Sequence, residues 1–387
     1  MKLLHLVYNH PLLRKRNFWR MLILMGLLLK PILFPFKTGD YRNFLLPWIN
    51  FIETHGYFSA LQFDFHNYMP PYIYLLVLIA KMGFNPLFSI KVASVLFEYL
   101  LAFFIGKIIT LKYKNNLFVW ISLAIVPLLP TVMLNSSYLS QCDSIYAAFA
   151  VGSIYFLLKK QPWTAALFLG LAFVFKLQTL LLLPFFFVML LRKQIRFHHF
   201  LLLPAIYFLS ILPVFLLGRP LDELLSIYIR QSNHYKYLTM NFPNLYIWIS
   251  NHYYEAAKLA GLCVTFLVTL VAGLLLSRKN LVFTFDQWIR LAFLSAVATP
   301  FLLPGMHERY MYMGDVLGIV YLMVIRRNFY FPAGILLVSF YSYIRCSRFH
   351  DVLPQAPAFF LYLFLLAAMI WDFTGAFKKA PSEDVSE

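Results

Sequence analysis

Residues 163–191 read WTAALFLGLAFVFKLQTLLLLPFFFVMLL, and Lys176 is the one ionisable residue among them. Basic pairs at 159–160 and 192–193 flank this run. Crossing about 30 Å of hydrocarbon takes about 20 helical residues, so each half of the run is short for a straight span. We interpret the run as a membrane hairpin, because this places both basic pairs on the same side.

Apolar character extends through the whole chain of 387 residues. Hydrophobic residues make up 61% of it and charged residues 13%, whereas a soluble domain is nearer half apolar and a quarter charged. One core could not bury so much apolar surface, which excludes soluble, purely disordered, collagenous and coiled-coil classes. The three Cys and ten His show no disulfide framework and no metal-ligand spacing. The composition predicts an all-α polytopic membrane protein.

Apolar stretches of this kind predict about 12 transmembrane helices. Arg14 to Arg20 precede the first stretch, and because no small-residue cleavage pattern follows, we expect a retained span rather than a signal peptide. Tyr72–Met82 is shorter and indicates an interfacial or re-entrant helix. The stretches are 21–36, 92–111, 117–134, 144–158, 163–175, 177–191, 200–217, 255–276, 287–304, 310–325, 329–345 and 356–373.

The formal net charge of +17 is explained by topology. If 72–82 does not cross, more than half of the 33 Lys and Arg lie in compact loops on one side, as the positive-inside rule requires of the cytoplasmic side. We therefore predict a single integral domain over 1–387, multi-pass in the cytoplasmic membrane with both termini cytoplasmic. Its long outer loops are 37–71 and 218–254, and its cytoplasmic tail is 374–387.

The sequence indicates neither a nucleotide ligand nor a nucleic-acid partner. The chain contains neither GxGxxG nor GxxxxGK[ST], and the net charge needs no nucleic acid to explain it. Any chemistry is expected at the outer ends of the helices.

Few polar residues lie near those ends, and each is costly beside lipid. Asp40 follows the first span and suggests a general base, although a solvated loop anion is the alternative; the same alternative applies to Asp64. Asp143 is either a helix N-cap or a second acidic group of the same cavity. Lys176 either extends its ammonium towards the interface or meets an anion.

Two further polar elements lie between later apolar stretches. Pro304–Tyr310 contains His307, Glu308 and Arg309, which suit phosphate contacts better than a plain polar cap, since the Arg fork matches phosphate oxygens. Asn241–Asn244 indicates a turn, either plain or positioning a loop over a site. Glu98, within a span, suggests helix packing only.

Six elements taken in order resemble the GT-C superfamily of polyprenyl-phosphate-sugar-dependent membrane glycosyltransferases. They are most similar to its bacterial branch related to the second mannosyltransferase of GPI-anchor synthesis, over roughly residues 38–325. Three departures are Ser140 for the family's Gly, Met313-Gly314 for its Pro, and Tyr68-Met69-Pro70-Pro71 for its Tyr-Pro-Pro. The elements are Asp40 with Phe44, Trp48 and Gly56; Tyr68-Met69-Pro70-Pro71-Tyr72; Gln141-x-Asp143-Ser144; Phe175-Lys176-Leu177-Gln178; Asn241-x-Pro243-Asn244; and Met306-His307-Glu308-Arg309-Tyr310.

This resemblance implies a GT-C-like fold whose first extracytoplasmic loop carries short interfacial helices. It implies an inverting, mannosyltransferase-like transfer of one sugar from a polyprenyl-phosphate donor to a glycan or lipid-linked acceptor, at the outer face and among membrane lipid. Asp40 is the implied base, and Arg309, His307 and Lys176 are the implied phosphate contacts. The remaining implied residues are Asp143, orienting the acceptor or Arg309; Glu308, fixing its neighbours; and Asp64, Tyr68, Gln141, Gln178, Asn241, Asn244 and Tyr310, binding substrate.

The sequence requires no cofactor, because its carboxylates are dispersed and form no recognisable ligand set, although a divalent metal stays compatible with the pattern. The alternative function is a multispan transporter or a flippase of lipid-linked glycans. Transporters commonly show inverted repeats and charges at the membrane midplane, whereas this chain shows no convincing repeat. A noncatalytic scaffold would leave the cluster at 307–310 unexplained.

Overall fold

The structure is a computed structural model that describes residues 10–347 and 352–378. It is almost entirely helical, and the described strands are the two-residue pair β1 (Thr239–Met240) and β2 (Met306–His307). The all-α prediction is confirmed. Of the predicted tail 374–387, the last helix reaches Lys378, and residues 379–387 lie outside the described residues.

Contacts divide the described chain into two compact units. Unit 1 takes residues 10–180 and 194–236, and unit 2 takes residues 181–193, 237–347 and 352–378. The single integral domain over 1–387 stays a prediction, because a division by contacts does not test how the chain inserts.

Unit 1 is built around α7, which is buried on nearly all sides and packs against α4 and α8. Its helices are α1 (Arg16–Leu29), α2 (Leu46–Thr54), α3 (Pro70–Lys81), α4 (Pro86–Tyr113), α5 (Leu117–Ile125), α6 (Pro130–Met133), α7 (Asp143–Leu158), α8 (Pro162–Phe175), α10 (Leu202–Leu216), α11 (Leu221–Leu225) and α12 (Ile227–Ser232). Its 3-10 segments are Lys30–Leu33, Tyr57–Gln62, Val126–Leu128 and Phe197–Leu201, and its π-helices are Tyr41–Leu45 and Leu134–Tyr138. A further 3-10 segment, Leu177–Leu182, runs from unit 1 into unit 2.

Unit 2 packs α14 against α15 and α17, and α16 against α15 and α17. Its helices are α9 (Leu183–Leu191), α13 (Tyr254–Leu276), α14 (Phe285–Leu302), α15 (Tyr312–Ile325), α16 (Tyr330–Ser347) and α17 (Gln355–Lys378), with 3-10 segments Leu245–Trp248 and Asn251–Tyr253.

Local sequence explains where the main helices begin. Asn85 caps α4 by accepting the Phe88 N–H at 3.3 Å, and Pro86 follows at the first helical position, where no N–H is needed. Thr284 and Gln287 form a capping box at the start of α14. Gly106 lets α4 approach α5 closely, since a Cβ there would lie 2.5 Å from Val119 Cα.

Four helices among the described residues are long and apolar enough to cross a membrane. They are Pro86–Tyr113, Phe197–Leu216, Asn251–Leu276 and Gln355–Phe377. A fifth candidate is the pair Leu117–Leu128 and Pro130–Tyr138, which bends by 60° at its break. These apolar helices indicate a membrane-embedded helical protein.

The predicted count of about 12 spans is wrong. Several of the predicted stretches form helices of 10–17 residues, such as Asp143–Leu158, Pro162–Phe175 and Leu177–Leu191. At 1.5 Å per residue, helices of this length reach about 15–25 Å, less than the hydrocarbon thickness. The hairpin predicted at 163–191 is broken at Lys176, where the backbone is extended.

The first predicted outer loop, 37–71, does contain short helical segments, as expected: Tyr41–Leu45, Leu46–Thr54 and Tyr57–Gln62. The short helix predicted at 72–82 is also present as α3, whose 12 residues span about 18 Å. Whether these helices lie in the membrane interface stays a prediction.

Candidate active site

Asp40 immediately precedes the π-helix Tyr41–Leu45, and its side chain is half-buried. The segment before it is fixed by Thr38, whose Oγ1 donates to the carbonyl of Leu139 at 3.2 Å. This contact brings the beginning of the first loop beside the segment that carries Gln141 and Asp143. A second π-helix, Leu134–Tyr138, precedes that segment; π-helical turns are rare and frequent at functional sites.

Side chains of these two segments form one hydrogen-bonded network together with Lys176. Gln141 Nε2 donates to Asp40 Oδ2, and Lys176 Nζ lies 3.4 Å from Gln141 Oε1. Lys176 also forms an ion pair with Asp143 Oδ1. Asn135 Nδ2 donates to Asp143 Oδ2 at 2.6 Å. Both oxygens of Asp143 are therefore engaged, and Gln141 connects this buried pair to Asp40.

Burial separates the two carboxylates. Asp143 is 1% exposed and Lys176 is 2% exposed, so each requires the other's charge. Asp40 is half-buried and accepts a hydrogen bond from the Gln141 amide. Asp40 is thus the more exposed carboxylate of the network, while Asp143 is buried against Lys176.

Interruptions of the helical backbone set the directions of these side chains. Lys176 is extended, with φ −152° and ψ 138°, between the end of α8 and the 3-10 segment that follows, and Thr179 Oγ1 donates to its carbonyl at 3.0 Å. Ser140 has φ +62°, in the left-handed region that favours Gly. Cys142, not Asp143, occupies the N-cap of α7, and Asp143 is its first residue. The capping interpretation of Asp143 is therefore not supported.

Aromatic rings line the same region of unit 1. The Lys176 ammonium lies 5.5 Å from the centre of the Tyr68 ring, within cation–π range. Tyr68 in turn packs against Trp48 at 5.5 Å and Tyr72 at 5.2 Å between ring centroids. Phe44 packs on Trp48 at 6.0 Å. Tyr68 thus contacts the Asp40–Lys176 network through Lys176, whereas Trp48 is buried in the hydrophobic core formed with the first loop.

Asp64 belongs to a different network in unit 1. It forms ion pairs with both Arg219 and Arg230, and Arg219 also lies 3.3 Å from Glu223 Oε2. Its side chain is 35% exposed, so neither a solvated loop anion nor a fully buried pair describes it. Asp64 joins the first loop to residues 219–230.

His66 completes this second network. Arg219 Nη1 lies 3.1 Å from His66 Nε2. Burial, together with the neighbouring Arg219 charge, lowers the pKa of the His66 imidazole to about 3. The ring is therefore neutral near pH 7 and accepts the hydrogen bond from Arg219 at Nε2.

In unit 2, the element predicted to bind phosphate is held by strand pairing. β1 pairs in parallel with β2, matching Thr239 with Met306, and Asn241 forms a further bridge with His307. Gly305 has φ +72°, and its N–H donates to the Leu238 carbonyl at 2.7 Å. The Asn241–Asn244 turn thus lies against the His307 segment, and whether it positions a loop over a site stays a prediction.

Glu308 pairs with both of its charged neighbours. Its carboxylate is 2.9 Å from Arg309 Nη1 and 3.7 Å from His307 Nδ1. Burial alone would raise the pKa of Glu308, but the Arg309 and His307 charges and hydrogen bonds lower it to about 2. Glu308 therefore stays ionised and orients the two basic side chains. The Tyr310 ring packs against His307, with 5.1 Å between the ring centroids.

The remaining predicted substrate-binding residues, Asn244 and Gln178, differ in their contacts. Asn244 accepts from the Tyr246 N–H at 3.2 Å and donates to the Leu303 carbonyl at 2.8 Å, which fixes the turn. Gln178 is half-buried in its 3-10 segment. Its Oε1 is buried and has no hydrogen-bond partner among the described residues.

The structure brings Asp40, Gln141, Asp143 and Lys176 together within unit 1, in line with the predicted proximity of Asp143 to Asp40 and of an anion to Lys176. The catalytic, phosphate-binding and substrate-binding roles of these residues stay predictions. The residues at 307–310 and the Asn241 turn belong to unit 2.

Several partners were missed. Asn135 lies in Leu134-Asn135-Ser136-Ser137-Tyr138, a polar cluster inside an apolar stretch that could have been noticed. Arg345, which donates to Asn241 Oδ1, carried no local signal.

Within the described ranges, no group of three or more His, Cys, Asp or Glu side chains is placed to hold a metal ion. The prediction that no cofactor is required stays a prediction. Compared with known proteins, the chain matches no family model and no curated protein sequence.

Proposed function

We propose that the protein is a membrane glycosyltransferase of the GT-C type that transfers one sugar from a polyprenyl-phosphate donor to a glycan or lipid-linked acceptor of the cell envelope. The observation that carries the proposal is the network of Asp40, Gln141, Lys176 and Asp143, in which one half-buried carboxylate is oriented by a buried ion pair. A carboxylate held in one orientation by a neighbouring side chain suits a general base.

In the proposed reaction, an acceptor hydroxyl attacks the anomeric carbon of the donor sugar. Its proton passes to Asp40, the new C–O bond forms, and the bond from the anomeric carbon to the phosphate oxygen breaks. The electron pair of that bond leaves on the polyprenyl phosphate. Attack opposite the leaving group inverts the anomeric centre. Gln141 holds Asp40 Oδ2 so that the carboxylate keeps one orientation during transfer.

A leaving phosphate gains charge, and within unit 2 Arg309 and His307 form a basic pair of the kind that stabilises such charge. Glu308 supports this role because it holds both side chains from a buried position. Lys176, which is buried against Asp143, contributes through that pair rather than by reaching a lipid phosphate. No nucleotide is needed, since the energy for transfer lies in the donor's own phosphate bond.

The proposed location is the outer face of the cytoplasmic membrane, with both termini on the cytoplasmic side. The compact basic loops at 112–114, 159–160, 192–196, 278–279 and 326–327 share one side with both termini only if the chain crosses about 12 times, so the four or five candidate spans do not add support for this orientation. The donor's lipid would lie among the surrounding lipids, with its head group at the outer helix ends.

The test is turnover by the purified full chain in lipid nanodiscs, without nucleotide, over a panel of polyprenyl-phosphate hexoses and a lipid-linked glycan acceptor. Release of polyprenyl phosphate together with a glycosylated acceptor is expected, and Asp40→Asn is the matched control. Movement of a lipid-linked glycan across a liposome membrane without chemical change would instead establish the flippase alternative. Turnover that depends on a nucleotide sugar would also overturn the proposal.

A further inference from the structure

Lys91 is a fully buried cation near the beginning of α4 that the proposed reaction does not use. Its Nζ donates to four backbone carbonyl oxygens: those of Leu33 at 3.1 Å, Phe34 at 3.0 Å, Phe36 at 2.8 Å and Tyr138 at 3.3 Å. An ammonium has three N–H donors, so the four oxygens share them. All four partners are backbone atoms, and Lys91 therefore fixes the course of the chain rather than another side chain.

The four carbonyls belong to two segments that each lead to the site. Three follow α1: Leu33 is the last residue of its 3-10 extension, and Phe34 and Phe36 lie on the stretch that leads to Asp40. The fourth belongs to Tyr138, the last residue of the π-helix that precedes Gln141. The same segments also meet through the rings of Phe36 and Tyr138, whose centroids are 5.4 Å apart.

Carbonyls beyond the end of a helix have no partner within that helix. Leaving one buried and unsatisfied costs about 1–3 kcal/mol, and an apolar surrounding offers no water to replace the missing donor. Lys91 supplies donors to both segments at once. Without it, only the Thr38–Leu139 hydrogen bond and the Phe36–Tyr138 ring contact described above would hold the two segments together, and the bond between Gln141 and Asp40 would be less firmly supported.

We propose that Lys91 is a positioning residue, which joins the segment of Asp40 to the segment of Gln141 and so sets the orientation of the Asp40 carboxylate. The consequence for turnover rests on the proposed function, whereas the joining of the two segments does not. Two measurements therefore separate the two claims.

The first measurement is cross-linking of Phe36→Cys with Tyr138→Cys in the full chain. These changes keep the carbonyls that Lys91 binds. The exposed Cys263 and Cys346 are replaced by Ser, and the buried Cys142 is kept. Under mild oxidation, Lys91→Met is expected to slow cross-link formation about 10-fold, because the effective concentration of one thiol near the other falls.

The control is Lys107→Met on the same helix, where the ammonium is half-buried and lies 6.0 Å from the Phe103 ring. Its cross-linking rate should equal that of the parent. An unchanged rate in folded Lys91→Met would overturn the proposal. If Lys91→Met does not fold, Lys91→Gln replaces it; this variant keeps two N–H donors and should give an intermediate rate, and a parental rate would overturn the proposal equally.

The second measurement is steady-state turnover per folded protein. Lys91→Met is expected to lower kcat about 10- to 100-fold with the donor KM unchanged, because the base is displaced while the donor site is intact. A merely structural role would lower the yield of folded protein and leave kcat as it is, which would overturn the positioning role. A parent protein with no turnover would overturn the proposed function, and cross-linking would still decide whether Lys91 joins the segments.

Discussion

Gln141 Nε2 donates a hydrogen bond to Asp40 Oδ2 from 101 positions further along the chain. The same side chain faces Lys176 through its Oε1, at 3.4 Å. An amide can donate and accept at once, so Gln141 transmits the position of a buried cation to a half-buried carboxylate. The two carboxylates of this network therefore differ in their contacts: Asp143 pairs with the buried Lys176, and Asp40 is held by Gln141, as the proposed proton transfer requires.

Asp40→Asn should abolish the base without unfolding the protein. The amide keeps the size of the carboxylate but cannot take a proton, and loss of a general base costs roughly 10²–10⁴ in rate. Turnover per folded protein and the thermal midpoint measure the two effects separately. Near-parental turnover in well-folded Asp40→Asn would remove Asp40 as the base.

Asp143→Asn should act mainly on stability. It leaves Lys176 buried without its carboxylate, and breaking a buried pair in this way costs about 3–5 kcal/mol. Lys176→Met should destabilise similarly, whereas the double variant Asp143→Asn/Lys176→Met should recover much of the loss because no buried charge remains. Thermal midpoints of the three variants in the same detergent test this. Losses that simply add in the double variant would contradict the coupling.

The site was more predictable from sequence than the span count. Asp40, Gln141 and Lys176 stood out because an ionisable or amide group beside lipid is costly wherever it lies, and such a cost can be seen locally. Hydropathy over a window reports composition, whereas helix length depends on breaks such as the extended backbone at Lys176. That is why about 12 apolar stretches yield only four or five candidate spans among the described residues.

Residues whose partners are distant in sequence could not be found in the same way. Arg219 meets Asp64 across 155 positions, and Lys91 meets carbonyls 47 to 58 positions away. A single sequence carries local periodicity but no record of such contacts. The predicted apolar stretch 92–111 begins just after Lys91, so neither Lys91 nor its partners were singled out from the sequence.

Acidification should destabilise the fold through His66. Its pKa is near 6.5 when unfolded and about 3 when folded, so the unfolded chain takes up the proton first as the pH falls. The neutral His66 ring contributes its full stabilisation of the fold well above pH 6.5, and about 2 kcal/mol of this stabilisation is lost between pH 6.5 and pH 5. Besides burial, the charges of Arg219 and Arg230 lower the His66 pKa, and the charge of Asp64 opposes them.

His66→Gln removes this titration while keeping an acceptor for Arg219. Its thermal midpoint should change less between pH 7 and pH 5 than that of the parent. His55→Gln is the matched control, because His55 is exposed and stacked on Phe51. Parallel pH profiles for the parent and His66→Gln would contradict the prediction.

Arg219 and Arg230 bind the same carboxylate but should differ in their contribution to stability. The Arg219 side chain is fully buried, whereas that of Arg230 is 41% exposed and screened by solvent. Arg219→Met should therefore lower the thermal midpoint clearly more than Arg230→Met, and added salt should weaken only the Arg230 contribution. Equal effects of the two substitutions would show that burial does not govern this cluster.

Ser140→Gly should stabilise the protein. Ser140 has φ +62°, which costs a residue with a Cβ about 1–2 kcal/mol relative to Gly. Its buried Oγ has no hydrogen-bond partner among the described residues, and an unsatisfied hydroxyl adds about 1–3 kcal/mol. The greater freedom of Gly in the unfolded chain offsets about 0.5–1 kcal/mol of this gain. Ser140→Ala is the matched control, since it removes the hydroxyl and keeps the Cβ. A thermal midpoint that rises from the parent to Ser140→Ala and again to Ser140→Gly is expected, whereas a lower midpoint for Ser140→Gly than for Ser140→Ala would show that the backbone at residue 140 is not in the left-handed region.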